Sequence, residues 1–141
     1  MKIDALMVED NRADVFMLTE ALQQAALDYR LHVARDGQEA MDLLARYGSD
    51  ALPRLDLVIL DLNLPRVNGF EVLRVLRSRP DLREIPTVIL TTSAWGEEPA
   101  KLDDFDREAF FEKPSLLTDW IAVSQAIDAC RRKRMSGDLT K

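Results

Sequence analysis

The chain alternates short apolar runs with longer amphipathic segments from one end to the other. Five apolar runs predict strands, at residues 3–8, 30–34, 55–60, 87–90 and 109–111. Between them, apolar residues recur at intervals of three and four, most clearly at Ala40, Leu43, Leu44 and Tyr47, which predicts helices. Strands and helices that alternate with short connections are typical of a parallel sheet covered by helices on both faces.

Polar and conformationally restricted residues mark the helix boundaries. Asn11 is a predicted N-cap for the first helix, and Asp36 has capping-box spacing to Glu39 at the start of the second. The third helix carries Phe70, Leu73 and Leu76 on its inner side, and we expect it to end before Pro80. Residues 48–54 form a predicted loop.

The last third of the chain is less regular. Pro99 can begin a short fourth helix, but acidic residues crowd the predicted end of that helix, where the helix dipole disfavours them. The final helix is predicted from Leu117, Trp120, Ile121, Ser124 and Ile127. We therefore expect one domain at residues 1–135, followed by a flexible tail at residues 136–141.

The expected topology determines where a site would lie. Right-handed crossovers leave few arrangements, and we expect a doubly wound sheet of strand order 2-1-3-4-5. In such sheets ligands bind beyond the carboxyl ends of the strands, at the switch between strands one and three. Those are the two strands that end in Glu9-Asp10 and in Asp61.

Composition excludes several classes of protein. The chain has 141 residues, 47% of them apolar, and a net charge of −6, which argues against broad binding of DNA. No apolar run reaches the roughly 20 residues that span a bilayer. The single cysteine, Cys130, forms no internal disulfide, and together with the lack of a signal-peptide pattern it indicates a cytoplasmic protein.

The acidic strand ends predict a metal site. Three carboxylates brought together by neighbouring parallel strands do not remain ionised comfortably without a cation. Mg²⁺ prefers such oxygen ligands in octahedral geometry. We expect Asp10 and Asp61 to bind it directly, Glu9 to reach it through water, and the backbone carbonyl of Asn63 to add a ligand.

Two further groups at the same edge suit phosphoryl chemistry. Thr91 ends the fourth strand and can donate to a phosphoryl oxygen, while Lys113 follows the fifth strand and can balance the charge of Asp61. Pro114 makes a cis Lys113–Pro114 bond plausible. Each residue alone has an ordinary structural explanation. Their joint placement at the ends of strands one, three, four and five makes Asp61 the predicted phosphate acceptor.

These residues resemble the receiver domain of response regulators in two-component signalling, over residues 3–130. The resemblance rests on Val8-Glu9-Asp10-Asn11, Asp61-Leu62-Asn63-Leu64-Pro65, Asn68-Gly69, Thr91-Thr92-Ser93 and Glu112-Lys113-Pro114. It implies a flavodoxin-like (βα)5 fold and a phosphoprotein that accepts a phosphoryl group from a histidine kinase on Asp61. It also implies a Mg²⁺ site made of Glu9, Asp10, Asp61 and the Asn63 carbonyl.

The resemblance extends to signalling. It implies that Thr91 and Lys113 contact the phosphoryl group and that Phe110 stands at the family's aromatic switch position. Residues 9–14 are similar to regulators that partner phytochrome-type kinases, many of which are single receiver domains. We expect phosphorylation to alter the surface of the fourth helix, fifth strand and final helix, which would bind a partner or form a homodimer. Trp120 is expected in the core, and its exposure would favour the dimer.

Three other functions remain open from the residues. A phosphatase that turns over an aspartyl phosphate uses the same groups, although its nucleophile ends the first strand. A phosphorylation-independent binding domain and a flavin-binding module use the same scaffold. We expect instead a signalling domain that catalyses only its own phosphorylation and dephosphorylation. His32 and Cys130 are predicted to be structural.

Overall fold

A computed structural model of the chain describes residues 2–64, 68–92 and 109–135. The strands are β1 (Ile3–Val8), β2 (Tyr29–Ala34), β3 (Leu57–Leu60), β4 (Thr87–Thr91) and β5 (Phe110–Glu112). The helices are α1 (Arg12–Gln24), α2 (Gly37–Ala45), α3 (Gly69–Ser78) and α4 (Leu117–Met135), the last being the predicted final helix. Several predicted features lie outside the described residues. These are the short helix that begins near Pro99, the motif residues Pro65 and Ser93, and the tail at 136–141.

The five strands form one parallel sheet in the order β2-β1-β3-β4-β5, which confirms the predicted flavodoxin-like topology. β1 pairs on both sides, so that Val8 lies opposite Ala34 of β2 and Leu60 of β3. α1 packs against α4, and α2 packs against α3. The switch between β1 and β3 therefore lies at the carboxyl edge of the sheet, where the acidic residues follow the strands.

The central strands are buried because their residues are apolar on both faces. β3 and β4 are buried throughout, and β1 is buried from its second residue onward. Trp120 of α4 is only 1% exposed and belongs to the core, as predicted. It therefore offers no exposed anchor for a homodimer. Cys130 is a half-buried free thiol beside the same core.

The predicted helix starts are confirmed. The Asn11 side chain accepts hydrogen bonds from the backbone N–H groups of Ala13 and Asp14 at the start of α1. The Asp36 side chain accepts from the N–H of Glu39, 2.8 Å away, and begins α2. Asn68 and Glu71 form a complete capping box at the start of α3. Because these caps satisfy N–H groups that lack helical partners, they place α1 and α3 firmly beside the carboxyl edge.

An ionic cluster occupies the opposite, amino end of the sheet. The buried Asp4 carboxylate accepts from Arg30 and lies 3.2 Å from Nε2 of His32, in keeping with a structural role for His32. Asp56 accepts from the backbone N–H of Asp4 at 2.9 Å and from Arg54. The cluster precedes β3, which begins at Leu57 and not at residue 55 as predicted, because Asp56 bonds Asp4 through side chain and backbone.

Candidate functional site

Asp61 lies directly beyond the end of β3 and is almost fully buried. Its backbone N–H donates to the carbonyl of Val8 at 3.1 Å, which ties it to the end of β1. Its Oδ1 accepts from the Thr91 hydroxyl at 2.9 Å and from the Asn63 N–H at 3.0 Å. Its Oδ2 accepts from the Lys113 ammonium at 2.9 Å. Groups at the carboxyl ends of β3, β4 and β5 thus meet at the Asp61 carboxylate, as the sequence predicted.

Three carboxylates form a compact acidic group at this edge. Oxygens of Glu9, Asp10 and Asp61 all lie within 4.8 Å of one another. Glu9 and Asp61 are buried whereas Asp10 is exposed, so the group opens to solvent on the side of Asp10. Carboxylate oxygens at this spacing on a partly open surface suit a divalent cation that retains several waters, as Mg²⁺ does. The predicted magnesium cofactor therefore fits the residues present.

The Glu9 carboxyl is destabilised in its charged form at this edge. Burial, and after it the charge of Asp61, raise the pKa of Glu9 from 4.5 to about 7 against the opposing effect of Lys113. Both Glu9 oxygens nevertheless have protein partners, the Lys113 ammonium at 2.8 Å and the Asn11 N–H at 3.1 Å. The raised pKa therefore indicates that these partners only partly compensate the negative charge of Glu9.

Lys113 follows β5 and points into the acidic group. Its backbone N–H donates to the Thr91 carbonyl at 3.0 Å, which fixes its position relative to β4. Burial alone would lower the pKa of the Lys113 ammonium, but hydrogen bonds to Asp14, Glu9 and Asp61 outweigh it and raise the pKa. Lys113 is therefore a fixed positive charge at the site. The Lys113–Pro114 bond is trans, the default for X-Pro bonds, and not the cis form considered above.

Thr91 and Asn63 line the other side of the Asp61 carboxylate. The Asn63 amide Nδ2 lies 3.4 Å from the Thr91 hydroxyl, so the two side chains contact each other, while the Asn63 backbone N–H and the Thr91 hydroxyl both donate to Asp61. Phe110 is half-buried in β5, opposite Ile89 of β4. It stands on the strand next to Thr91, at the position that the resemblance assigns to the switch.

Gly69 allows α3 to approach the loop that carries Asp61. A Cβ atom at position 69 would lie 2.5 Å from the Asp61 carbonyl oxygen and 2.5 Å from the Leu62 Cα. The Gly69 N–H also donates to the Leu62 carbonyl at 3.2 Å. Because both clashing atoms belong to the backbone, no side-chain rotation relieves them. Gly69 therefore determines how closely the first turn of α3 supports the loop after β3.

The contact that one acidic residue makes with the site was not predicted from the sequence. Asp14, an acidic residue in the first turn of α1, places Oδ2 2.8 Å from the Lys113 ammonium. Phe16, two residues further along α1, is 61% exposed. The signal for Asp14 was its spacing of four from Asp10 at the start of a helix that begins beside the site. Its partner lies 99 residues away in the sequence, however, and only the fold brings the two together.

Within the parts of the chain that the structure describes, no helix combines the length and apolar character needed to cross a bilayer.

Comparisons with known proteins point to one family. The response regulator receiver domain matches residues 5–123. Response regulator Rcp1 of Synechocystis is 36% identical over 125 residues, which are 88% of this chain and 85% of Rcp1. The crystal structure of Mn²⁺-bound Rcp1 has a TM-score of 0.76 and 34% identity, covering 90% of this chain and 92% of that one.

Two further solved structures are similar over most of their length. The phosphorylated cyanobacterial phytochrome response regulator RcpA has a TM-score of 0.77 and 33% identity, covering 91% of this chain and 92% of that one. The bacteriophytochrome response regulator AtBRR has a TM-score of 0.72 and 34% identity, covering 91% and 94%.

Proposed function

The chain belongs to the family of response regulator receiver domains, and we propose that it accepts a phosphoryl group on Asp61 in a Mg²⁺-dependent reaction. One observation carries the proposal. Asp61 is a buried carboxylate whose Oδ1 accepts from the Thr91 hydroxyl and whose Oδ2 accepts from the Lys113 ammonium, and oxygens of Glu9 and Asp10 lie within 4.8 Å of it. That arrangement supplies a nucleophile, groups that bind the phosphoryl oxygens and a place for the cation that neutralises their charge.

The metal site is assigned residue by residue. Asp10 and Asp61 would hold Mg²⁺ directly, Glu9 through water, and Asn63 through its backbone carbonyl. The bound ion supplies charge neutralisation for the phosphoryl group. The proximity of the three carboxylates and the raised pKa of Glu9 support this assignment.

The transfer itself requires alignment more than covalent chemistry from the protein. An Asp61 carboxylate oxygen attacks phosphorus and forms a new O–P bond. The bond between phosphorus and the histidine nitrogen of the donor breaks, and its electron pair remains on the imidazole. Lys113 balances the charge of Asp61 before transfer and that of the phosphoryl group afterwards. The Thr91 hydroxyl donates a hydrogen bond to a phosphoryl oxygen. The hydrogen bonds of both residues to Asp61 support these roles.

The donor is a histidine kinase in this proposal. The similar structures whose names mention a phytochrome or bacteriophytochrome, RcpA and AtBRR, support a phytochrome-type photoreceptor kinase as partner. The exposed ring of Phe16 lies on the helix that begins two residues after Asp10, and it would offer the kinase an apolar contact on that helix. Residues 1–135 would act as a single cytoplasmic receiver domain that does not turn over external substrates.

Phosphorylation would be read through Thr91 and Phe110. Movement of the Thr91 hydroxyl toward the phosphoryl group frees space that the Phe110 ring fills, because Thr91 and Phe110 lie on the paired strands β4 and β5. The surface formed by the predicted fourth helix, β5 and α4 would change with it, and bind a partner or a second copy. Such couplings are typically about 1–3 kcal/mol, so phosphorylation shifts populations of two existing states.

The acceptor function is tested by intact-protein mass spectrometry with acetyl phosphate. We expect the mass of one phosphoryl group to appear only with Mg²⁺ and to be absent in Asp61→Asn. Steady release of phosphate from an added phosphate ester over many turnovers would instead indicate a phosphatase. No gain of mass under any condition would contradict the proposal and favour a phosphorylation-independent binding domain.

The switch and the homodimer are tested together by size in solution. Beryllofluoride with Mg²⁺ mimics the phosphoryl group, so light scattering should show a change of mass or of hydrodynamic radius when it is added. The Phe110→Ala variant should bind beryllofluoride and fail to change. An unchanged size of the wild-type protein would contradict the dimer. The switch is checked by NMR, and unchanged backbone amide signals around Phe110 on addition of beryllofluoride would contradict it.

A further inference from the structure

The Lys113 ammonium donates to three carboxylates at once. Its Nζ lies 2.8 Å from Oε1 of Glu9, 2.8 Å from Oδ2 of Asp14 and 2.9 Å from Oδ2 of Asp61. A lysine ammonium has three N–H groups and no acceptor, so each N–H has one carboxylate partner. We propose that Asp14 is a positioning residue for the phosphoryl-transfer reaction, which orients the Lys113 ammonium toward Asp61. The inference rests on the proposed role of Asp61.

Asp14 is held firmly enough to act in this way. It lies in the first turn of α1, and its backbone N–H donates to both the side chain and the carbonyl of the N-cap residue Asn11. Its side chain is 19% exposed, whereas that of Lys113 is 7% exposed. The ion pair is therefore largely withdrawn from water, where a hydrogen bond between charged groups is stronger than at the surface.

The arrangement fixes the rotation of the ammonium group. Glu9 and Asp14 take two of the three N–H groups, and the tetrahedral geometry of Nζ then points the third at Oδ2 of Asp61. Lys113 is anchored at its other end by the backbone bond to Thr91. If the Asp14 carboxylate is removed, one N–H of the Lys113 ammonium loses its partner. The ammonium is then free to rotate or to shift toward Glu9. The lysine would then meet the incoming phosphoryl group less precisely.

A second effect of Asp14 has the opposite sign, which makes the inference testable. Asp14 adds negative charge to a site that must receive an anionic donor. If Asp14 acted only through its electrostatic field, its neutralisation would speed phosphorylation and tighten donor binding. If it acts by positioning Lys113, neutralisation slows the chemical step and leaves donor binding nearly unchanged.

The experiment measures phosphorylation by acetyl phosphate at saturating Mg²⁺, as a function of donor concentration. In the reaction an Asp61 oxygen bonds to phosphorus while the bond from phosphorus to the acetate oxygen breaks, and acetate leaves with the electron pair. The variant Asp14→Asn keeps the size of the side chain and removes its charge. The variant Asp14→Glu keeps the charge. The control Glu20→Gln removes the same charge from the same helix, six residues further from the site.

We expect the limiting rate of Asp14→Asn to fall by about tenfold, within the roughly 100-fold that a misplacement of 1 Å can cost. The donor concentration for half-maximal rate should stay within about twofold, as expected for loss of an interaction in the transition state. Asp14→Glu should recover part of the rate, and Glu20→Gln should match the wild-type protein.

Two results overturn the inference in distinguishable ways. If the wild-type protein is phosphorylated and Asp14→Asn reaches the same or a higher limiting rate, the positioning role is wrong while the proposed function stands. If the wild-type protein gains no phosphoryl group, the proposed function is wrong and the role of Asp14 falls with it.

Discussion

The Gly69→Ala substitution should damage the site without touching any of its reactive groups. The added methyl would lie 2.5 Å from the Asp61 carbonyl oxygen and from the Leu62 Cα, and 3.1 Å from the Leu62 carbonyl carbon. Non-bonded heavy atoms prefer about 3.5–4.0 Å, so the first turn of α3 and the loop after β3 must separate by about 1 Å. The loop carries Asp61, and the displacement therefore reaches the nucleophile directly.

Two magnitudes follow from that displacement. Overpacking of this kind costs about 1–3 kcal/mol, against which the better helix propensity of alanine recovers at most about 1 kcal/mol. For a domain of this size the melting temperature should fall by about 3–8 °C. Misplacement of a reacting group by about 1 Å can cost roughly 100-fold in rate, so phosphorylation by acetyl phosphate should slow by at least about tenfold.

The assay pairs a thermal melt with the rate of phosphorylation at saturating Mg²⁺. The matched control is Arg74→Ala, an exposed position of the same helix, which should change neither quantity measurably. If Gly69→Ala melts and reacts like the wild-type protein, the close approach of α3 does not position Asp61, and the reasoning is refuted.

Two further predictions concern buried groups, the Tyr29 hydroxyl with its partner Asp128 and the carboxyl of Glu9. The Tyr29 hydroxyl donates a hydrogen bond to the buried Asp128 carboxylate of α4 at 2.5 Å. Tyr29→Phe removes this bond, so it should lower the free energy of unfolding by about 1–3 kcal/mol and leave the phosphorylation rate unchanged. An unaltered melting temperature would contradict this prediction. The raised pKa of Glu9, about 7 through burial and then the charge of Asp61, means that the folded protein binds a proton more tightly than the unfolded chain. Without divalent ions, that contribution to stability is therefore full below pH 4.5 and is lost as the pH rises through about 7. Melting curves in chelator should show this fall, and Mg²⁺ at pH 8 should reverse it; a Mg²⁺ effect equal at pH 5 and pH 8 would oppose the assignment of Glu9.

The sheet and the core of the site were predictable because they depend on short-range patterns. Apolar runs predicted β1 and β3, and parallel strands bring their carboxyl ends together whatever the loops do. That was sufficient to place Asp61 with Asp10, Thr91 and Lys113. The helix starts at Asn11 and Asp36 were equally local, since an N-cap bonds N–H groups two or three residues away.

Interactions between distant residues were not predictable in the same way. Asp14 lies in the first turn of α1, and nothing in the local sequence indicates that it pairs with Lys113. Asp56 was placed inside a strand, although its carboxylate and its N–H both bond to Asp4 and delay the start of β3 to Leu57. Such pairings depend on which side chains the completed fold brings into contact, and the spacing along the chain does not identify the distant partner.

The most direct test of the central claim is to locate the phosphoryl group after reaction with acetyl phosphate and Mg²⁺. Borohydride reduces an acyl phosphate to the alcohol, so an aspartyl phosphate becomes homoserine, which peptide mass spectrometry identifies by position. We predict homoserine at position 61, its formation only with Mg²⁺, and its disappearance when Asp10 is replaced by Asn. Homoserine at Asp10 or at any other carboxylate, with Asp61 intact, would contradict the account.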